Sequence, residues 1–388
     1  MTVPFPTVAV VPPGLEEVAA AELVELGASA VRPQRRAVAC HTDLATYYRL
    51  HLRARLPFRL LRQLAVFPCR GRDDLHAGVQ AAADWDRWLP PERSLRVEAS
   101  GSLPGLNHSH YTALQVKNAL VDLQRQRWGA RSAVDLEDPD LCLHLHLSAG
   151  RPGQSSQAVL SLDGSGSSLH RRGYRPAMGL APLKENLAAG LIALSGWDGA
   201  VPLADPLCGS GSLLIEAARL ALGRAPGLER PFSLQRWPDF AAALWQREVA
   251  AARGLERDRL ADGRPLAPLL GLEQDPLVLE QARHNAAAAG VAPWISLHQG
   301  DCRDFQPPAT PGVLVCNPPY GERIGDPETL EGLYADLGAM VKERCSGWTL
   351  WLLSGNPQLT GALRMKASRR IPVSNGGIDC RWLRYDIR

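Results

Sequence analysis

The chain contains no run of about 18 uncharged apolar residues, so no segment is expected to cross a membrane as a helix. Its first residues lack a basic stretch followed by an apolar one, which argues against a secretory signal. The eight cysteines include no Cys-x-x-Cys pair, so disulfides and zinc sites are not expected. These absences predict a globular protein of the reducing cytoplasm.

A metal site is not expected elsewhere either. The segment 141–147 alternates strictly and reads as a strand, which places His144 and His146 together on one face. No third ligand lies near them in the sequence, so the pair does not predict a metal ion.

Positive charge is concentrated near the start of the chain. The net charge is only +3, yet residues 31–72 contain ten arginines and one acid, Asp43. Arginine binds phosphates through two parallel hydrogen bonds, which favours an RNA- or DNA-binding surface. The alternative is a solvated helical face whose arginine stems cover apolar surface.

The pattern of apolar residues predicts two different halves. Up to about residue 165, short strands and helices are mixed, and a Gly/Ser-rich stretch at 163–168 follows. After about residue 180, apolar strands alternate with longer helices, which is typical of a doubly wound parallel sheet. We predict domains at residues 1–58, 59–165 and 166–388. An aromatic insertion at about 223–268 interrupts the last domain, and the sequence assigns it no role.

A glycine loop follows the first strand of the second half. It is neither Gly-x-Gly-x-x-Gly nor a Walker A loop, so a nucleoside triphosphate is disfavoured. Glycines allow close approach of a ligand to the backbone, and the helix that follows favours negative charge. The acid at its start could attract an ammonium group. The loop is Asp205-Pro206-Leu207-Cys208-Gly209-Ser210-Gly211-Ser212.

Carboxylates also end the next two strands. Glu273, followed by Gln274, is placed to bind the two hydroxyls of a ribose, and Asp301, followed by Cys302, could accept from an adenine amino group. Glu273 and Asp301 could instead be solvated strand ends, and Asp275 could cap its helix. Ribose, adenine and an ammonium-bearing tail together describe S-adenosylmethionine.

A proline-stiffened turn follows the next apolar run, residues 312–316. The side-chain oxygen of Asn317 and the carbonyl of Pro318 are both acceptors, a pair suited to a flat exocyclic amino group. Tyr320, after Pro319, offers a ring on which a base can stack. The pattern therefore indicates a nucleobase pocket, although an ordinary strand-to-loop turn fits the same four residues.

Taken in order, these motifs resemble those of class I S-adenosylmethionine-dependent methyltransferases that act on base amino groups. Two further segments, 169–175 (Leu-His-Arg-Arg-Gly-Tyr-Arg) and 181–187 (Ala-Pro-Leu-Lys-Glu-Asn-Leu), resemble the THUMP-domain RNA guanine-N2 methyltransferases, in particular the 23S rRNA branch. Residues 99–108 and 134–135 are similar to the THUMP region of that branch. Ser212 stands where the family commonly has Thr, and Glu273 where it commonly has Asp, and both keep the chemistry.

The resemblance implies an α/β Rossmann-like fold with a mostly parallel seven-stranded sheet, preceded by an α+β ferredoxin-like and THUMP region. It implies S-adenosylmethionine as cofactor and rRNA as partner. Catalysis would fall to Asn317, Pro318, Pro319 and Tyr320, and Asn317 would also contact the cofactor. RNA contacts would fall to Arg171, Arg172, Tyr174, Arg175, Lys184, Asn107 and His108.

Three alternatives remain open from the residues themselves. The same chemistry could act on a tRNA guanine, because THUMP regions commonly serve tRNA enzymes. The four-residue turn could equally serve the N6 amino group of adenine in DNA or RNA. A non-catalytic RNA-binding protein is a third class, disfavoured because both the cofactor loop and the base pocket are intact.

Overall fold

Two seven-stranded sheets organise the molecule. The computed structural model describes residues 3–150, 155–175, 183–320 and 327–388. The strands of the first sheet are Phe5–Val10 (β1), Ser29–Gln34 (β2), Ala37–Thr42 (β3), Arg59–Pro68 (β4), Leu95–Gly101 (β5), Leu141–Ser148 (β6) and Gln157–Asp163 (β7). The helices of this half are Glu16–Glu25 (α1), Leu44–Arg53 (α2), Arg72–Ala81 (α3), Trp85–Trp88 (α4) and Ser109–Trp128 (α5).

The first sheet is continuous across both predicted N-terminal domains. Its strand order is β2-β3-β1-β4-β7-β6-β5, and β4 pairs with both β1 and β7. Only β5 and β6 pair in parallel within it. The predicted boundary at residue 58 therefore coincides with the start of a strand that joins the two regions. Asp43 caps α2 by accepting from the Thr46 amide at 2.8 Å, as its sequence position predicts.

The second half alternates strands and helices. Its helices are Glu185–Ser195 (α6), Ser212–Ala221 (α7), Ala242–Ala261 (α8), Pro276–Ala288 (α9), Pro327–Arg344 (α10) and Pro357–Ala362 (α11). Its strands are Leu203–Asp205 (β8), Leu269–Glu273 (β9), Ile295–Gln299 (β10), Val313–Cys316 (β11), Thr349–Ser354 (β12), Arg369–Asn375 (β13) and Ile378–Asp386 (β14). None of the helices in the described part of the chain is both long and apolar enough to span a bilayer.

The second sheet has the order β10-β9-β8-β11-β12-β14-β13. The five strands from β8 to β12 run parallel, and β14 runs antiparallel to both of its neighbours. The prediction of a mostly parallel seven-stranded sheet is confirmed. Strand order reverses between β8 and β11, so a crevice opens at the carboxyl ends of the strands there, where open α/β sheets bind their ligands.

The aromatic insertion packs against the N-terminal half. The Trp237 ring stacks on Tyr47 at a centroid distance of 5.8 Å and meets Trp88 edge-on at 5.9 Å. Trp245, at the start of α8, meets Tyr48 of α2 edge-on at 5.4 Å. The insertion therefore belongs to the hydrophobic core of the N-terminal half, although it interrupts the second half in sequence.

Removing the Trp237 ring should destabilise the folded protein as a whole. The Trp237→Ala change leaves a cavity between Tyr47 and Trp88, and we expect the free energy of unfolding to fall by about 3–5 kcal/mol. Denaturant titration followed by circular dichroism measures the loss. Trp128→Ala, which truncates a half-exposed ring at the end of α5, is the control and should cost less than about 1 kcal/mol. Equal losses in the two variants would contradict this role for the insertion.

Candidate active site at the carboxyl ends of the parallel strands

The glycine loop lies between β8 and α7 at the crevice. Gly209 and Gly211 adopt φ angles of +51° and +82°, a region that favours glycine, and Gly211 is the residue from which α7 begins. The Ser210 carbonyl accepts from the side chain of Asn285 on α9 at 3.1 Å. The loop is thus tied to α9 by a side-chain hydrogen bond.

Asp205, which opens the loop, is buried. Its Oδ1 accepts from the Leu207 amide at 3.1 Å, and only 2% of the residue is exposed. Burial raises the pKa of its carboxyl to about 8, and the nearby charge of Glu273 adds to the effect. A cation placed against this carboxyl would stabilise its ionised form and would therefore lower its pKa.

The carboxylate at the end of β9 is tied to the glycine loop. Glu273 Oε2 accepts from the Gly209 amide at 3.1 Å, and Oε1 accepts from the Asp275 amide at 3.0 Å. Asp275 caps α9 by accepting from the Leu277 amide at 2.8 Å, which is the alternative that its sequence position left open. Gln274 is exposed between them.

The acid after β10 is ionised and already paired. Asp301 accepts from the Arg303 amide at 2.9 Å and from its guanidinium at 2.8 Å. These bonds to Arg303 lower the pKa of the Asp301 carboxyl to about 2. Cys302 beside it is buried. A ligand amino group would therefore share this carboxylate with Arg303.

Asn317 follows β11 directly and faces the same crevice edge. Its Oδ1 is buried and has no hydrogen-bond partner among the residues that the structure describes. Pro318 is buried and Pro319 half-buried. A buried acceptor without a donor is costly, by about 1–3 kcal/mol, so this oxygen is suited to a donor from a ligand.

Tyr320 is held in place by the last two strands. Its hydroxyl accepts from the Asn375 side-chain amide at 2.7 Å, and the Cys380 thiol lies 3.5 Å from the same oxygen. Its ring lies so close to Gly355 that a Cβ there would be 3.1 Å from it. Burial raises the pKa of the phenol, so it stays protonated at neutral pH. The ring is a fixed surface rather than a proton acceptor.

Arg175, predicted to contact RNA, lies against the glycine loop instead. Its guanidinium donates to the Leu183 carbonyl at 2.7 Å and to the hydroxyl of Ser212, the first residue of α7. Its Nε is 3.9 Å from a Glu185 carboxylate oxygen and makes no hydrogen bond within the described residues. The side chain is 8% exposed, so it offers positive charge to the crevice and not to the outer surface.

Arg172 and Tyr174 cannot contact RNA as predicted, because both side chains are buried. Arg172 forms an ion pair with Glu216 of α7, and the Tyr174 hydroxyl donates to the other Glu216 oxygen at 2.8 Å. Arg172 also donates to the Arg55 carbonyl of the N-terminal half at 2.6 Å. The two side chains therefore stabilise the junction between the halves instead of facing solvent. Residues 181 and 182 of the neighbouring motif lie outside the described residues.

The remaining predicted RNA contacts are on the surface. Arg171 and Lys184 are exposed near the junction, and Asn107 and His108 are exposed just before α5. Lys184 stands between Leu183 and Glu185, which both approach Arg175 beside the glycine loop. The two exposed pairs remain predictions of RNA contacts.

Much of the basic segment at 31–72 is used inside the protein. Internal acids pair with Arg49, Arg59 and Arg62, and Arg55 donates to two backbone carbonyls. Three arginines are left exposed on β2 and the turn after it, namely Arg32, Arg35 and Arg36. Arginine density therefore overstated the basic surface, because sequence does not show which guanidinium groups meet a carboxylate.

No group of three or more potential ligands that could hold a metal ion occurs within the described ranges. His146 Nδ1 lies 2.9 Å from the Ser100 hydroxyl and His144 Nε2 lies 3.3 Å from it. Burial lowers the pKa of His144 to about 4. This pair is thus neutral and held by a serine.

Sequence comparison divides the chain into three matched regions. Residues 7–61 match the RlmL ferredoxin-like domain and residues 72–151 match the THUMP domain. Residues 172–384 match the family described as RMKL-like, methyltransferase domain.

Two curated relatives match over nearly the whole chain. A Synechocystis protein, provisionally named an RNA methyltransferase, is 45% identical over 98% of this chain and 97% of its own length. The ribosomal RNA large subunit methyltransferase K/L of Pseudomonas entomophila is 39% identical over 97% of this chain and 52% of its own length. The chain therefore spans about half the length of this second relative.

Solved structures share the whole architecture. One, provisionally described as a methyltransferase and bound to SAH, superposes with a TM-score of 0.86 at 29% identity and covers 100% of this chain and 99% of its own. Another, a predicted N6-adenine-specific DNA methylase from Listeria monocytogenes, superposes with a TM-score of 0.85 at 28% identity and covers 100% and 97%. With the glycine loop, the strand-end carboxylates and Asn317 in place, the chain belongs to the RMKL-like methyltransferase family.

Proposed function

We propose that this protein transfers a methyl group from S-adenosylmethionine to the exocyclic N2 of a guanine in large-subunit ribosomal RNA. The observation that carries the proposal is the Oδ1 of Asn317, which is buried and has no hydrogen-bond partner in the described part of the chain, beside an intact glycine loop. The names of the two relatives support RNA, and that of the second supports the large ribosomal subunit.

The crevice residues fit the parts of the cofactor. The ribose hydroxyls suit Glu273, the adenine amino group suits Asp301, and the ammonium suits the buried Asp205. Arg175 and the start of α7 supply positive charge for the carboxylate of the methionine tail. When bound, S-adenosylmethionine supplies a methyl group activated by its positive sulfur.

The acceptor pocket orients a weak nucleophile. The lone pair of the guanine amino group is delocalised into the ring, so the nitrogen must be turned toward the methyl group. Asn317 Oδ1 and the Pro318 carbonyl accept hydrogen bonds from that amino group, and the ring of Tyr320 stacks on the base. Positioning and electrostatics supply most of the acceleration, and the proton is lost to water after transfer.

Two other substrates could accept a methyl group by the same mechanism. A tRNA guanine requires only a different docking of the RNA on the N-terminal half. The amino group of adenine would enter the same pocket, and the DNA methylase description of the Listeria neighbour favours that rival. The match to a THUMP domain at residues 72–151 supports RNA over DNA.

One experiment separates these substrates. The protein is incubated with labelled S-adenosylmethionine and, separately, purified rRNA, tRNA and DNA lacking their natural methylation. The modified nucleoside is then identified by mass spectrometry. We expect N2-methylguanosine in large-subunit rRNA. N6-methyladenine in any nucleic acid, or label confined to tRNA, would overturn the proposed substrate.

Removing the Asn317 side-chain acceptor should strongly slow methyl transfer while leaving cofactor binding nearly unchanged. For Asn317→Ala we expect kcat to fall by at least about 100-fold, because one acceptor that orients the amino group is lost. Affinity for S-adenosylmethionine, measured by calorimetry, should stay within a few-fold. Gln246→Ala, which removes an exposed amide on α8, is the control and should behave as the unmodified protein. Normal turnover of Asn317→Ala would disprove the mechanism.

Cofactor binding should release a proton near pH 7. The pKa of Asp205 is about 8 in the free protein, so its carboxyl is mostly protonated there, and a bound ammonium favours the ionised form. We therefore expect affinity to rise as pH increases from 6 to 7.5, by up to about tenfold per pH unit. Calorimetry in buffers of different ionisation enthalpy counts the released proton.

Asp205→Asn is the matching variant for that measurement. It should bind the cofactor more weakly and should not release this proton. Proton release that persists in Asp205→Asn would assign the linkage to another group.

A further inference from the structure

A groove opens on the sheet beside Tyr320, and the proposed chemistry does not use it. It lies over β13 and β14, next to the loop after β12 and α11, and encloses a cavity of about 740 Å³. Gly355 and Cys380 line it, and both also contact Tyr320. The groove is therefore adjacent to the acceptor pocket across the Tyr320 side chain.

The fold covers this part of the sheet only in part, leaving charged side chains exposed above buried apolar ones. Alternate residues of β14 face the groove, including Arg381 and Tyr385, while Trp382 packs on Trp351 on the opposite face. The neighbouring helix α11 has only six residues, and Arg370, Asp379 and Arg381 stay exposed beside it. Leu383 and Tyr385 are buried beneath them. The floor that results is partly apolar and partly charged.

Two arginines of the groove have no side-chain partner in the described ranges. Arg370 and Arg381 are exposed, and within the described residues neither forms a hydrogen bond or ion pair through its side chain. Arg384 on the same strand differs, because it pairs with Asp386 at 2.8 Å. Asp379 also lines the groove and supplies one negative charge.

The strand register places the two free arginines on one face. Arg370 is opposite Leu383, and Arg381 precedes Leu383 by two residues on the same strand. Such diagonal neighbours have side chains about 7–8 Å apart at their bases. Both guanidinium groups can therefore reach one phosphodiester, or two in succession, and guanidinium is the side chain best matched to phosphate oxygens.

We propose that this groove binds the nucleotide next to the methylated base in the RNA chain. The proposal rests on the proposed function, since it assumes that a base of an RNA chain enters the pocket at Asn317. A base that leaves its stack carries its neighbours to the rim of the pocket, and these neighbours need a surface of their own. The volume is within the range of small-molecule sites, about 300–1,000 Å³, and is sufficient for one nucleotide.

The groove residues act on RNA binding and not on the chemical step. Arg370 and Arg381 contact the phosphates that flank the extruded base, above the buried side chains of Leu383 and Tyr385. Preference for the sequence around the target would then depend in part on this surface.

The test combines kinetics with salt dependence. For the double variant Arg370→Ala/Arg381→Ala we expect KM for RNA to rise about 10- to 100-fold, with kcat and cofactor affinity within twofold. The slope of log KM against log salt should fall by about two, one for each lost phosphate contact. Arg369→Ala is the control, because Arg369 is an exposed neighbour on β13 that does not line the groove, and it should change KM less than threefold.

Crosslinking separates this proposal from the proposed function. A photoreactive amino acid at Met365, in the groove wall, should crosslink to the nucleotide adjacent to the methylated one. If the methylated base proves to be adenine, the proposed function fails, but a crosslink beside that base still supports the groove. A double variant that matches Arg369→Ala in KM and salt slope, or a crosslink elsewhere in the RNA or to protein, would overturn the proposal.

Discussion

The carboxylate of Glu216 connects the two halves of this molecule. It is buried on α7, and a buried charge is tolerated only when it is paired and hydrogen-bonded, so Arg172 and Tyr174 must both stay beside it. Arg172 in turn donates to the backbone of the N-terminal half at Arg55. Because α7 begins at the glycine loop, the same contacts fix the cofactor site relative to the first sheet.

Local signals in the sequence were enough for the strands β8 to β11 and the crevice at their carboxyl ends. The short apolar runs predicted parallel strands, and acids or glycines at their ends predicted ligand-binding loops, because the carboxyl ends of parallel strands meet at one edge. Asp205, Glu273 and Asn317 do lie at that edge. The helix cap formed by Asp43 was predictable for a similar reason, because its hydrogen-bond partner lies only three residues away.

Contacts between residues far apart in sequence could not be predicted in this way. Arg172 is a basic residue in a basic segment, and only its partner Glu216, 44 residues later, shows that it is buried. Asn375 supports Tyr320 from 55 residues away, through a strand that sequence alone does not place. The aromatic content of the insertion was likewise visible in the sequence, but the place where it packs was not. Its partners Tyr47 and Trp88 lie in the other half of the chain.

The continuity of the first sheet has a geometric consequence. Strand β4 hydrogen-bonds to β1 on one side and β7 on the other, so a rotation between the ferredoxin-like and THUMP regions would have to break these strand pairings. At the junction, Arg172 also joins Glu216 to the Arg55 carbonyl of the N-terminal half. These contacts set the distance between the THUMP region and Asn317. An RNA held on the THUMP region would present to Asn317 only those bases that lie at one set distance from its anchor. Selection of the target would then depend on the distance between the methylated base and the RNA segment bound by the THUMP region, as well as on contacts to the base itself.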